Sequence, residues 1–336
     1  MRGMRRTGYM AFALGVALLA LLMLRANWTV LLHALTSFGL AGLLILIAIH
    51  LPVIAAGGVA WWYFARNVRG ATPGGFVRAR LVRDSAAVAL PFSQLGGFAA
   101  GIRALNASGV PAAYCGVSMF VDLVSEFAAL FPYVAMGLVA LFVRAPASAL
   151  LRPLAIGTCT LTAVMVFGWI DRRRIARWLV APIRAFVCRF TETEPDAFPD
   201  IRPVYGKINL SRRAITANFA LHFGRWAIGA VETWVAFLLM GVPISLGNAL
   251  VVDSIVAALR IFAFLVPAAI GVQEWLYVLV CGIVGLPPGG ALAFALVLRA
   301  RDLLIGFIGL AVWHAVETSA QVSFPLPAFA KQASRE

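Results

Sequence analysis

Ten ionisable side chains fall inside apolar stretches of this sequence: Asp122, Glu126, Arg225, Glu232, Asp253, Arg260, Glu274, Arg299, Arg301 and Asp302. A charge at the centre of a bilayer costs about 3 kcal/mol or more, so such groups either pair internally or mark a path for a polar substrate. Spacing narrows the chemistry. Asp122 and Glu126 are four residues apart and share a helical face, whereas Arg299 and Asp302 are three apart and can pair with each other. Glu274 follows Pro267 and Gly271 in "FLVPAAIGVQEW" (264–275), where a proline and a glycine interrupt an apolar run. Arginines and carboxylates set this way attract and orient a polar head or relay a proton.

Covalent catalysis finds no support. HExxH, GxSxG, P-loop and GxGxxG motifs are absent. His33, His50, His222 and His314 are isolated in sequence and read as satisfied or interfacial groups. Cys115, Cys159, Cys188 and Cys281 have no metal-ligand spacing. The expectation is a protein that is not an enzyme, with no catalytic residue, metal or cofactor.

The elements that must hold these residues are set by composition. The 336 residues are 62% hydrophobic and 12% charged, with mean hydropathy +0.91, which excludes a single soluble core and indicates a polytopic membrane protein. The net charge of +14 would suggest nucleic acid in a soluble protein; in a membrane protein it marks cytoplasmic loops, and no nucleic-acid partner is expected. At ~20 apolar residues per span, the sequence predicts an all-α protein with about seven membrane-spanning helices. They include 8–28, kept as a first helix after "MRGMRR", and 38–64, which ends in the aromatic belt "WWYF". Further spans lie at 111–142, 153–170, 215–240 and 291–313.

Two apolar segments are broken. The first, 84–105, contains Pro91, Gly96 and Gly97; the second, 249–286, contains Pro267 and Gly271. If the first dips in and returns to its own side, 21 of the 28 Lys+Arg fall on the cytoplasmic side and three outside; a full crossing would put the basic connector outside. Both segments begin Asp-Ser and lead to Pro and then Gly. The expected fold therefore has two re-entrant broken-helix hairpins in an inverted repeat, an arrangement that builds substrate sites near the midplane. This divides the chain into an N-terminal half (1–170), a connector (171–214), a C-terminal half (215–318) and a tail (319–336). The N-terminus is expected to be cytoplasmic, in a bacterial inner membrane. The connector opens with a basic amphipathic helix, Arg172 to Arg189, suited to an anionic lipid surface. The expected chamber is lined by Gln94, Gly96, Gly97, Arg103, Asp122, Glu126, Pro267, Gly271, Gln273, Glu274, Arg299, Arg301 and Asp302, with Arg225 and Arg260 free to snorkel.

The stretches "LPFSQLGGFAAGIRAL", "AIGAVETWVAFLLMG", "FLVPAAIGVQEW" and "VLRARDLLIGFIGLAVW" resemble the lysylphosphatidylglycerol synthase transmembrane-region family, and within it a hopanoid-biosynthesis-associated branch. The resemblance implies a flippase-like membrane region; the soluble aminoacylating domain of the full-length synthases is missing, so aminoacyl transfer is not expected. Similar proteins often carry Glu after the first Gly-Gly, where this sequence has Phe98, so an acidic role there would pass to Asp122 or Glu126. The expected function is binding or translocation of an amphipathic lipid, hopanoid or phospholipid-like. Alternatives are a membrane scaffold for lipid-biosynthetic enzymes and a membrane-embedded lipid-carrier transferase. Lipid-biosynthetic enzymes or a second copy of the chain are further partners in this reading.

Overall fold

The computed structural model describes residues 21, 24, 28–89, 93–149, 151–170, 201–261, 266 and 269–323. Among the described residues the chain is all helical: α1 (Trp28–Ala65), α2 (Pro73–Ala89), α3 (Ser93–Ala107), α4 (Ala112–Arg144), α5 (Leu151–Ile170), α6 (Ile201–Lys207), α7 (Arg212–Leu239), α8 (Leu246–Arg260), α9 (Val272–Ile283) and α10 (Pro288–Ser323). Pro91, Pro267, the basic stretch Arg172 to Arg189 and most of the expected 8–28 span lie outside the described residues.

Helices Leu32–Ala65 and Ala112–Arg144 are long and apolar enough to cross a membrane. α7 and α10, with 28 and 36 residues, also exceed the length of a span, but the ionisable residues described below lie within them. Large apolar side chains such as Leu40, Val139, Phe142 and Phe307 face outward, as lipid-facing surfaces require.

Short helices pair into two hairpins. α2 and α3 have 17 and 15 residues, about 25 and 22 Å of helix, shorter than the ~30 Å hydrocarbon core. Their contact is close because Gly97 faces the Arg83 carbonyl, where a Cβ would stand 2.5 Å away, and Gly101 faces the Arg83 Cβ and the Ala79 carbonyl. The open ends of this hairpin meet where Gly70, at φ +81°, packs on the Gly109 carbonyl. At the same end of the bundle the Asn209 backbone N–H donates to the Phe64 carbonyl (2.8 Å) and its side-chain amide to the Tyr63 carbonyl (3.2 Å). α8 and α9 form the second pair. Near its open end Gly247 packs on the Arg144 guanidinium and Gly290 on Val242. Ser211 and Ser245 cap α7 and α8 through side-chain oxygens that accept from Ala214 N–H and Asn248 N–H.

Two expectations change here. α2 begins at Pro73, well before the expected start at Asp84, so Arg78, Arg80 and Arg83 lie on the helix ahead of that start. Arg80 is 2% and Arg83 5% exposed, because α4 supplies carboxylates that a loop in water would not need. The "WWYF" stretch is only half open to an interface: Trp62 and Tyr63 keep partial exposure, whereas Phe64 is buried and Trp61 is buried against Phe76, donating from Nε1 to Ser118 Oγ at 2.9 Å.

The apolar interior has two separate centres. One gathers α2, α3, the end of α1 and the start of α4; the other gathers α7, α8, α9 and the first half of α10. On α4 the first ends at Met119 and the second starts at Leu130; Asp122 and Glu126 fall between them.

Candidate functional site

The seam between the two cores holds the charges. Arg80 donates to Asp84 (2.9 Å) on its own helix and, through both terminal nitrogens, to Glu126 (2.6 and 3.1 Å). Arg83 reaches the same carboxylate at 3.1 Å, and its guanidinium lies 4.8 Å from the centre of the Phe98 ring. This cation–π contact fills the space beside Arg83. From α7, Arg225 donates to Glu126 at 3.2 Å, Asn218 donates to Asp122 at 2.8 Å, and His222 Nε2 lies 2.9 Å from Asp122. His222 Nδ1 lies 3.2 Å from Arg225 Nη1. Since an arginine only donates, His222 accepts on Nδ1 and donates from Nε2 to Asp122. Three arginines face three carboxylates, so with a neutral imidazole the cluster is balanced.

A second cluster lies further along α7. Glu232 accepts from Arg301 on one oxygen and pairs with His50 Nδ1 at 3.1 Å on the other. Arg301 also donates to Asp302 at 2.7 and 3.0 Å. Asp253 accepts from the Tyr133 hydroxyl at 2.6 Å and from Thr233 at 3.4 Å. The residues Asn218, His222, Arg225, Gly229 and Glu232 recur every three or four positions, one polar stripe ~21 Å long on α7. Between the clusters the stripe borders a cavity of about 150 Å³, lined among others by His50, Arg225, Glu232, Asp253, Arg260 and Arg301.

The third group closes the second hairpin. Gly271, at φ +76°, is the N-cap of α9, and its N–H donates to Glu274 Oε2 at 2.8 Å. Arg299 donates to Glu274 Oε1 at 2.6 and 2.9 Å. Glu274 is therefore fully engaged, holding a helix start and an arginine of α10.

The sequence-predicted site residues divide accordingly. Asp122 and Glu126 come together in the first cluster, Arg301 and Asp302 in the second, and Gly271, Glu274 and Arg299 at the tip of α9. Gln273 is buried beside them. Gln94 and Gly96 lie at the start of α3, Gln94 exposed; Gly97 faces Arg83, and Arg103 is half-buried on α3. The Arg299–Asp302 pairing does not form: Arg299 turns to Glu274 and Asp302 takes its neighbour Arg301. Arg225 does not snorkel, because Glu126 holds it. The sequence reading missed Arg80, Arg83, Asp84, Asn218 and His222 as site members. Their signals were present in Arg80–Asp84 at i,i+4 and in the 218/222/225 stripe. Among the described residues no His/Cys/Asp/Glu cluster has metal-binding geometry.

Residues 10–309 match the family model described as "Lysylphosphatidylglycerol synthase TM region". The chain belongs to the lysylphosphatidylglycerol synthase transmembrane-region family. Membership and the apolar helices together make this family member a helical membrane protein of lipid metabolism or transport. No curated protein and no solved structure matches the chain.

Proposed function

We propose that this member of the family binds and translocates an amphipathic lipid, hopanoid or phospholipid-like, and is a transporter rather than an enzyme. The observation that carries the reading is the cavity of about 150 Å³ bordered by charged groups of both signs inside a bundle whose outer surface is apolar. A space of that size takes a polar head and leaves the tails in the bilayer. The shortness of α2, α3, α8 and α9 supports two re-entrant hairpins. The positions of their open ends, one beside Asn209 and one beside Arg144, support entry from opposite faces, an inverted arrangement around the seam. The preference for hopanoid rests on the resemblance of the quoted motifs alone.

The test is a reconstituted flip assay. Vesicles carrying the protein and a fluorescent lipid, phospholipid or hopanoid, are treated with a membrane-impermeant quencher. The wild type is expected to expose lipid from the inner leaflet, and Arg301→Ala to slow this at least tenfold while the protein remains folded by circular dichroism. Equal rates for wild type, variant and empty vesicles would exclude lipid translocation.

A further inference from the structure

Of the carboxylates inside the bundle, Asp84, Asp122, Glu126, Glu232, Glu274 and Asp302 each ion-pair with an arginine. Asp253 does not. Among the described residues its hydrogen-bond partners are two hydroxyls, Tyr133 at 2.6 Å and Thr233 at 3.4 Å, and no guanidinium stands within ion-pairing distance. Arg260 lies seven residues further along α8, about 10 Å of helix rise. Gly229 of α7 leaves the room that the carboxylate occupies, since a Cβ there would stand 2.8 Å from Asp253 Oδ2. Asp253 is half-buried and lines the cavity of about 150 Å³.

An arginine locks its carboxylate in the charged form. A hydroxyl does not: it donates to an ionised carboxylate and accepts from a protonated one, so Tyr133 and Thr233 serve both states. A carboxylate at membrane depth without a cation also keeps its charge at greater cost than a paired one, and transporters build proton relays from such acids. We infer that Asp253 is a proton-binding site of the cavity, and that its proton is exchanged as lipid moves. In that step one carboxylate oxygen forms an O–H bond with a proton delivered through the cavity, no covalent bond of the protein breaks, and the wall loses one negative charge. The groups that face Asp253 there are Tyr133 on α4, Arg225 and Glu232 on α7, Arg260 on its own helix, Tyr277 on α9, Arg301 on α10 and His50 on α1. Arg225 is held by Glu126, and Arg301 by Glu232 and Asp302, so their charges stay fixed while that of Asp253 changes. A polar head in the cavity therefore meets walls that differ by one charge. A difference in its affinity for the two states couples lipid and proton, each to the other by the same factor. The inference rests on the lipid-transport reading of the same cavity and names the ion that drives it.

Two measurements decide it. In the first, purified protein in a neutral detergent is taken from alkaline to acid pH and read by infrared difference spectroscopy, where a carboxylate that gains a proton shows a C=O band that an imidazole cannot give. The wild type is expected to gain such a band, Asp253→Asn to lack it, and Asp253→Glu to move it. Asparagine keeps the shape and still accepts from Tyr133; should it nevertheless fail to fold, the displaced band of Asp253→Glu carries the assignment. No band in the wild type, or a band that both variants leave in place, overturns the inference. In the second, vesicles with a fluorescent phospholipid are given a pH gradient at clamped voltage, and the lipid's distribution between leaflets is read at steady state with an impermeant quencher. One proton per lipid shifts the leaflet ratio by up to about tenfold per pH unit, so the wild type is expected to shift it by about threefold or more and Asp253→Asn to lose the shift. A wild type that flips lipid to the same ratio with and without the gradient overturns the inference and spares the transport reading. Accumulation driven instead by a sodium gradient at equal pH assigns the site to a metal cation and overturns it too. A wild type that flips no lipid while the Asp253 band still titrates does the reverse, sinking the transport reading and keeping the proton site.

Discussion

Glu274 looks like a substrate ligand in sequence because a carboxylate deep in an apolar run demands a partner. The structure supplies two, the Gly271 N–H and the Arg299 guanidinium, and both oxygens are used. The residue type was legible in sequence; its partner was not, since Arg299 lies 25 positions away and nothing local selects it over Arg301. The consequence is energetic. Removing one member of a buried ion pair leaves the other uncompensated and costs about 3–5 kcal/mol, whereas removing both costs much less than the sum. Glu274→Ala and Arg299→Ala should each lower the thermal midpoint in detergent by several degrees, and the double variant should fall little below the worse single. Additive losses would show that the two side chains act independently.

His222 illustrates the same limit from the other side. In sequence it is a lone histidine in a helix, and reading it as a satisfied group was sound. Only the fold reveals that it bridges Asp122 and Arg225. His222→Phe keeps the ring volume but strands Asp122 with one hydrogen bond fewer. The expected outcome is a loss of about 1–3 kcal/mol in unfolding free energy, with His222→Gln recovering part of it through an amide N–H. Equal stability of the Phe and Gln variants would remove the hydrogen bond from the account.

At the scale of elements, the first hairpin was visible as an interrupted apolar run, but its beginning was not. Arg78, Arg80 and Arg83 make α2 polar for a buried helix, and Glu126, the carboxylate that holds both Arg80 and Arg83, is on α4. What holds α2 to α3 is the absence of a side chain at Gly97. A methyl there would stand 2.5 Å from the Arg83 carbonyl, which is backbone and cannot rotate away. Gly97→Ala should therefore destabilise the protein by about 1–3 kcal/mol. Gly74, near the start of the same hairpin, has nothing within 4 Å of an added Cβ. Gly74→Ala should be neutral or stabilising by about 0.5–1 kcal/mol, through helix preference alone. Chemical or thermal unfolding in detergent decides it: two variants of equal sign would mean that the α2–α3 contact is loose.

At the scale of the whole molecule, two apolar centres each built around one hairpin meet along a seam, and the seam is where α1, α4, α7 and α10 place their charges. Hydropathy was enough to show that the charges are buried; only the pairing of helices could show that they lie between two cores. The ends of the bundle differ in charge as well. Arg66, Arg69, Lys207, Arg212 and Arg213 cluster toward the end where Asn209 binds the α1 terminus, against Arg144 and Arg152 toward the other. We propose from the positive-inside rule that the first end faces the cytoplasm; the Gly70–Gly109 contact puts both feet of the first hairpin at that end. In a cysteine-free background, Asn67→Cys and Ser108→Cys should both resist a membrane-impermeant maleimide applied to right-side-out vesicles and react once the vesicles are opened. Ala147→Cys, exposed in the turn beyond α4, should react from outside without opening. Positions 67 and 108 flank the hairpin, so reaction of one from outside and the other only after opening would mean that α2 and α3 cross the bilayer in full. The connector carrying Lys207 would then change sides, and the charge asymmetry that now favours a returning hairpin would run against the fold.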